Sequence, residues 1–66
     1  MKFAERFTEV LKASKLSQKE LAKKLNIAES NISNWKKGLN LPSVEVLYDL
    51  CVLLGESADY LLGIED

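Results

Sequence analysis

The sequence contains no histidine, one cysteine (Cys51), one proline (Pro42) and three glycines among 66 residues. The missing histidine removes every Ser-His or Cys-His catalytic pair and, with a single thiol, every zinc site of the Cys/His type. One cysteine cannot close an internal disulfide, so a reducing cytoplasm is the expected compartment. The longest purely apolar run, Leu50–Leu54, is far below the ~18 residues that a membrane span needs. Glu5 and Arg6 interrupt the N-terminus too early for a signal peptide. No Pro-, Gly- or Ser-rich stretch provides a linker, and no segment alternates with the period of two that marks a half-buried strand. These absences predict one small all-α domain over residues 1–66, with no metal, no cofactor, no membrane partner and no evident small-molecule ligand.

Charge is nearly balanced overall, nine bases against ten acids, but it is unevenly placed. All nine bases lie between Lys2 and Lys37, with only Glu5, Glu9, Glu20 and Glu29 among them, a net of +5 over residues 1–42. Residues 43–66 carry six acids and no base, a net of −6. The net charge of −1 and the pI near 5.4 therefore hide one half suited to an anion and one half that repels it.

Five helices follow from periodicity and caps. Phe3, Phe7, Val10 and Leu11 share one face of a helix over about 3–14. Ser17-Gln18-Lys19-Glu20 reads as a capping box opening a second helix, which buries Leu21, Ala22 and Leu25 and ends at Asn26, a residue tolerant of left-handed backbone. A third helix runs over about 29–37 to Gly38, a fourth over 44–54 behind Pro42-Ser43, and a fifth over 58–62 between Ser57 and Gly63. On the wheel of the third helix Ala28, Ile32 and Trp35 point inward. Glu29, Ser30, Ser33, Asn34 and Lys37 point outward, a row of short polar side chains with a cation at its end. Such a row is either an ordinary solvated face or a surface able to press against base edges and phosphates.

Residues 18–37, QKELAKKLNIAESNISNWKK, resemble position by position the helix-turn-helix of the phage repressor and Cro (xenobiotic-response-element) family. Leu21, Leu25, Ile27, Ile32 and Trp35 match its core positions, Ala22 the close helix contact and Asn26 the turn. Leu16-Ser17-Gln18, Lys37-Gly38, Pro42-Ser43 and Ser57–Gly63 extend the resemblance over most of the chain. It implies a compact five-helix, lambda-repressor-like domain whose third helix enters the major groove of double-stranded DNA. Carried over by position, Glu29, Ser30, Ser33 and Asn34 read bases, while Ser17, Gln18, Lys19, Lys36, Lys37 and Asn40 hold phosphates. The wheel selects the same four base readers independently.

This sequence departs from the family pattern in three places. Glu29 stands where Gln is common and either accepts from a cytosine amine or only complements the helix dipole. Ala28 replaces the usual Ser or Thr cap, and Leu11 and Lys36 replace an Arg/Glu pair. The fourth helix carries the inner stripe Leu47, Leu50, Cys51 and Leu54 and further apolar residues besides. Together with the family's two-fold contact, this marks 44–62 as a homodimer surface including Val46, Val52, Leu53 and Leu62. Cys51, on the inner stripe, is either a thiol sensor or a small hydrophobe. The leading expectation is a sequence-specific, dimeric transcriptional regulator, most simply a repressor on a palindromic operator. The alternative is a protein-interaction module, antitoxin-like or an anti-repressor partner, that grips protein through helix four. An enzyme built on Glu45 and Asp49 comes third, because neither a cleft nor a partner base accompanies them.

Overall fold

A computed structural model describes residues 1–65. It contains α1 (Phe3–Ser14), α2 (Gln18–Leu25), α3 (Glu29–Lys37), α4 (Val44–Leu54) and α5 (Ala58–Leu62), and no strand among the described residues. The predicted helix boundaries match these five elements. Oxygen caps explain three of the starts: Ser17, Ser43 and Ser57 each accept a hydrogen bond from the backbone N–H three residues on. Left-handed residues explain the stops, with Asn26 at φ 57° and Gly38, Gly55 and Gly63 at φ 75°, 64° and 81°. Gly63 is required for a second reason, because a Cβ there would lie 3.0 Å from the Lys2 Cβ and 3.2 Å from its backbone nitrogen. One stop has no sequence signal: α1 ends at Lys15 in left-handed backbone, φ 65°, a conformation that L-residues other than Asn and Asp rarely adopt.

α1 is the hub. Phe3, Phe7 and Leu11 are buried along its inner face, and Val10 packs half-buried beside them. Phe3 and Phe7 stack at 5.4 Å, and the Trp35 ring of α3 meets both edge-on, at 6.5 Å and 5.7 Å between centroids. Such T-shaped pairs contribute about 0.5–1.5 kcal/mol beyond the area they bury. Leu21 and Ala22 of α2, Ile32 of α3, Leu50 of α4 and Leu61 of α5 complete the core. On α4 only Leu50 is fully buried. Leu47, Cys51 and Leu54 are half-buried against the core, so the inner stripe lies at the core's margin.

A polar clasp ties α5 back to α1. The Arg6 guanidinium lies 4.4 Å over the Tyr60 ring and donates to the Tyr60 carbonyl at 2.9 Å and the Glu65 carbonyl at 2.6 Å. The Tyr60 hydroxyl donates to Glu9 Oε1 at 2.9 Å. That bond, with partial burial and the Glu9 charge, raises the phenol above its ordinary pKa of 10.0.

Ala28 corrects the wheel. It is exposed, because its extended backbone (φ −72°, ψ 141°) puts it outside the helix, where the 100° period no longer applies. No helix among the described residues is long and apolar enough to cross a membrane.

Phe7 is fully buried between Phe3 and Trp35, so Phe7→Ala should lower stability by about 3–5 kcal/mol, enough to leave a domain of this size largely unfolded. Urea or thermal unfolding followed by circular dichroism checks this.

Candidate nucleic-acid interface

Three local devices fix α2 and α3 against each other. First, the predicted capping box forms: Ser17 Oγ accepts from the Glu20 N–H and Glu20 Oε1 accepts from the Ser17 N–H, both at 3.0 Å. These bonds hold the Glu20 carboxyl below its ordinary pKa of 4.5, with a smaller contribution from Lys24. Second, left-handed Asn26 turns the chain so that the Ile27 N–H reaches the Ala22 carbonyl at 3.1 Å. Third, buried Ala22 lets the two helices approach closely. The second helix of the pair, α3, then shows its Ile32 and Trp35 face to the core and its opposite face to the outside.

The structure brings the four candidate base readers onto that outer side in two kinds of environment. Glu29 and Ser30 are exposed and Asn34 is half-exposed, and none of the three makes a side-chain hydrogen bond among the described residues. Ser33 is half-buried and committed. Its Oγ accepts from Gln18 Nε2 at 2.7 Å, while Lys36 Nζ donates to Gln18 Oε1 at 3.0 Å. Gln18, Ser33, Lys36, Lys37 and Thr8 of α1 line a concavity of about 280 Å³. The Thr8 hydroxyl donates to the Ala4 carbonyl at 2.7 Å, so α1 contributes wall there. Sequence reasoning placed Gln18 and Lys36 at phosphates, yet it did not find their mutual bond, the Ser33 bond or the Thr8 wall. Nothing in a period or a cap signals a pairing 15 or 18 residues apart.

Of the remaining candidate phosphate residues, Ser17, Lys19 and Asn40 are exposed, and Asn40 sits in the loop that follows the Gly38 cap. Lys19, Lys23, Lys24, Lys36 and Lys37 form no ion pair with an acid among the described residues, although the Lys24 charge is felt by Glu20. The first turn of α3 also lacks a side-chain cap, leaving backbone N–H groups open beside Glu29.

The candidate dimer residues divide. Val52 and Leu53 are 64% and 40% exposed, whereas Val46 and Leu62 are half-buried and packed on the core. More exposed still are Val44 (84%) and Tyr48 (69%), which with Val52 form an i, i+4, i+8 stripe along α4. Exposed Glu45 and Asp49 accompany it. Cys51 is half-buried, and desolvation, then the nearby Glu56 charge, push its thiol above the ordinary 9.0. Its place against the core suits a thiol that packs as a small hydrophobe. Among the described residues no three acids or thiols converge to hold a metal ion.

A helix-turn-helix family model matches residues 8–61, spanning α2, the Asn26 turn and α3. The chain belongs to the helix-turn-helix family of the Cro and phage-repressor type. The HTH-type transcriptional regulator ImmR of Bacillus subtilis (strain 168) is 38% identical over 63 residues, which cover 96% of this chain and 50% of that protein. The uncharacterized HTH-type transcriptional regulator YobD of the same organism is 33% identical over 64 residues, covering 97% of this chain and 57% of that protein. The chain thus spans about half the length of the curated relatives it matches.

Two stability outcomes follow from the caps. Ala28 already has the extended backbone of a cap, so Ala28→Ser should add about 1 kcal/mol, read as a raised urea midpoint with unchanged slope. The Glu20 carboxyl, depressed on folding, contributes stability that is present above pH 4.5 and lost as the pH falls below that value through its folded pKa. Ser17→Ala should therefore flatten the acid limb of the stability–pH curve, and an unaltered limb would show that the box contributes nothing.

Proposed function

We propose that residues 1–66 are the DNA-binding unit of a sequence-specific transcriptional regulator, most simply a cytoplasmic repressor that occludes promoter DNA. The observation that carries this reading is the outer row of α3, where the Glu29, Ser30 and Asn34 side chains hold no partner among the described residues and Lys36 and Lys37 stand beside them without an ion pair there. A solvated face would have the same polarity. What favours DNA is its placement on a buttressed helix of a helix-turn-helix, next to the only basic half of the chain. In this reading α3 enters the major groove. Asn34 and Ser30 donate and accept at base edges, Ser33 joins them, and Glu29 accepts from a cytosine amine or only complements the α3 dipole. Ser17, Gln18 and Lys19 at the start of α2, with Lys36, Lys37 and Asn40, bind the phosphates that set the register.

A homodimer completes the proposal. The stripe of Val44, Tyr48, Val52 and Leu53, edged by Val46 and Leu62, is an apolar surface of the kind that marks an interaction site. Two-fold pairing through it would set two recognition helices about 34 Å apart and call for a palindromic operator. The same stripe, on the acidic half, also fits the second reading, in which the domain grips another protein and DNA binding is weak.

Selection of bound duplexes from a random pool separates the two readings. The first expects a symmetric site, with Asn34→Ala and Ser30→Ala each reducing affinity for it by about tenfold or more. Lys37→Gln should lower affinity for all sequences alike and reduce the slope of log K against log salt by about 0.9. An unenriched pool, with salt-dependent binding to any duplex, would replace the first reading by the second.

A further inference from the structure

The bonds at the α2–α3 junction have a direction, and that direction bears on which bases the domain accepts. A lysine ammonium can only donate. The Gln18 amide atom 3.0 Å from Lys36 Nζ is therefore its oxygen, and the atom 2.7 Å from Ser33 Oγ is its NH₂ group. This removes the ambiguity that otherwise attends an amide, whose two ends look alike. Ser33 Oγ is consequently an acceptor towards Gln18, which occupies one of its two lone pairs and leaves its own proton to be donated. Two helical hydroxyls of this chain spend theirs on their own helix: Thr8 donates to the Ala4 carbonyl at 2.7 Å and Ser14 to the Leu11 carbonyl at 2.6 Å. Ser33 makes no such bond among the described residues.

We propose that Lys36 and Gln18 act as positioning residues that make Ser33 a hydrogen-bond donor to DNA. At the base facing it, the domain then prefers an edge that offers an acceptor, guanine N7 or O6, thymine O4 or adenine N7, over cytosine, whose edge offers only an amine. The inference rests on the placement of Ser33 at the DNA face and adds to it a polarity relayed from Lys36 through the Gln18 amide to the Ser33 proton. A single hydrogen bond of this kind supports a preference of about 3- to 10-fold at one position of the site.

Gln18→Glu inverts the relay while keeping the shape. A carboxylate only accepts, so it still pairs with Lys36 but obliges Ser33 to donate inward, which turns the serine lone pairs towards DNA. An acid in the first turn of α2 suits the helix dipole, so the variant should fold, and circular dichroism verifies this. Random-pool selection is run on the native domain, Gln18→Glu, Ser33→Ala and Lys36→Met. The expected result is one position per half-site that disfavours cytosine in the native domain and favours cytosine or adenine over guanine and thymine in Gln18→Glu, with the base preferences at the rest of the site unchanged. That same position should be flat in Ser33→Ala and weakened in Lys36→Met. Loss of affinity in Gln18→Glu that is uniform across sequences, with every base preference retained, would overturn the relay while leaving the DNA-binding reading intact. A defined preference at that position that survives in Ser33→Ala would do the same. A native domain that selects no site overturns both. Should Gln18→Glu not fold, the Ser33→Ala and Lys36→Met arms decide alone, because both remove side chains outside the core.

Discussion

The edge-on contact of Trp35 with Phe7 and Phe3 is the constraint on which the rest of this molecule depends. α3 is only nine residues long and has no side-chain cap at its start, so it is not stable by itself in water. Its position comes from packing: Trp35 and Ile32 are anchored on α1, and α2 is anchored beside it through Leu21 and Ala22. With the inner face of α3 immobilised in this way, the outer face can hold small polar groups without partners of their own. That is the arrangement a rigid reading surface requires, because groups ordered in advance cost little entropy when they bind.

Electrostatics divide along the same line. Among the described residues the α2 and α3 lysines form no ion pair with an acid, and the acids Glu45 and Asp49 accompany the apolar stripe of α4. The one arginine is used differently. Arg6 stacks on Tyr60 and holds carbonyls at the end of α5, so its contribution is to closing the fold and not to the basic surface. The clasp also shows why α5, five residues long, can be ordered: Leu61 is buried, Ser57 caps it, and Tyr60 is held from both sides by α1.

The family relationship and the geometry answer different questions. Membership, shown by the match over residues 8–61, accounts for the order of helices and the turn at Asn26. It does not account for a glutamine whose two ends are told apart by a lysine on the next helix, which follows from the side chains of this chain alone.

Sequence by itself determined the five helices, their boundaries, the capping box at Ser17 and Glu20, the left-handed turn at Asn26, and the faces that Phe7, Leu21, Ile32 and Trp35 turn inward. All of these are decided within about four residues along the chain, by periodicity and by caps, where sequence carries the physics directly. It also separated the basic half from the acidic half. Tertiary structure alone decided the rest: the Gln18–Ser33–Lys36 pairing, the Arg6–Tyr60–Glu9 clasp, the exposure of Ala28 outside the helix, the left-handed Lys15, and which apolar residues of α4 remain outside. The two polar networks join residues 15 to 59 positions apart, and their existence depends on interhelical distances of a few tenths of an ångström. Those distances are set by how the aromatic core packs, and no local pattern of residues encodes them.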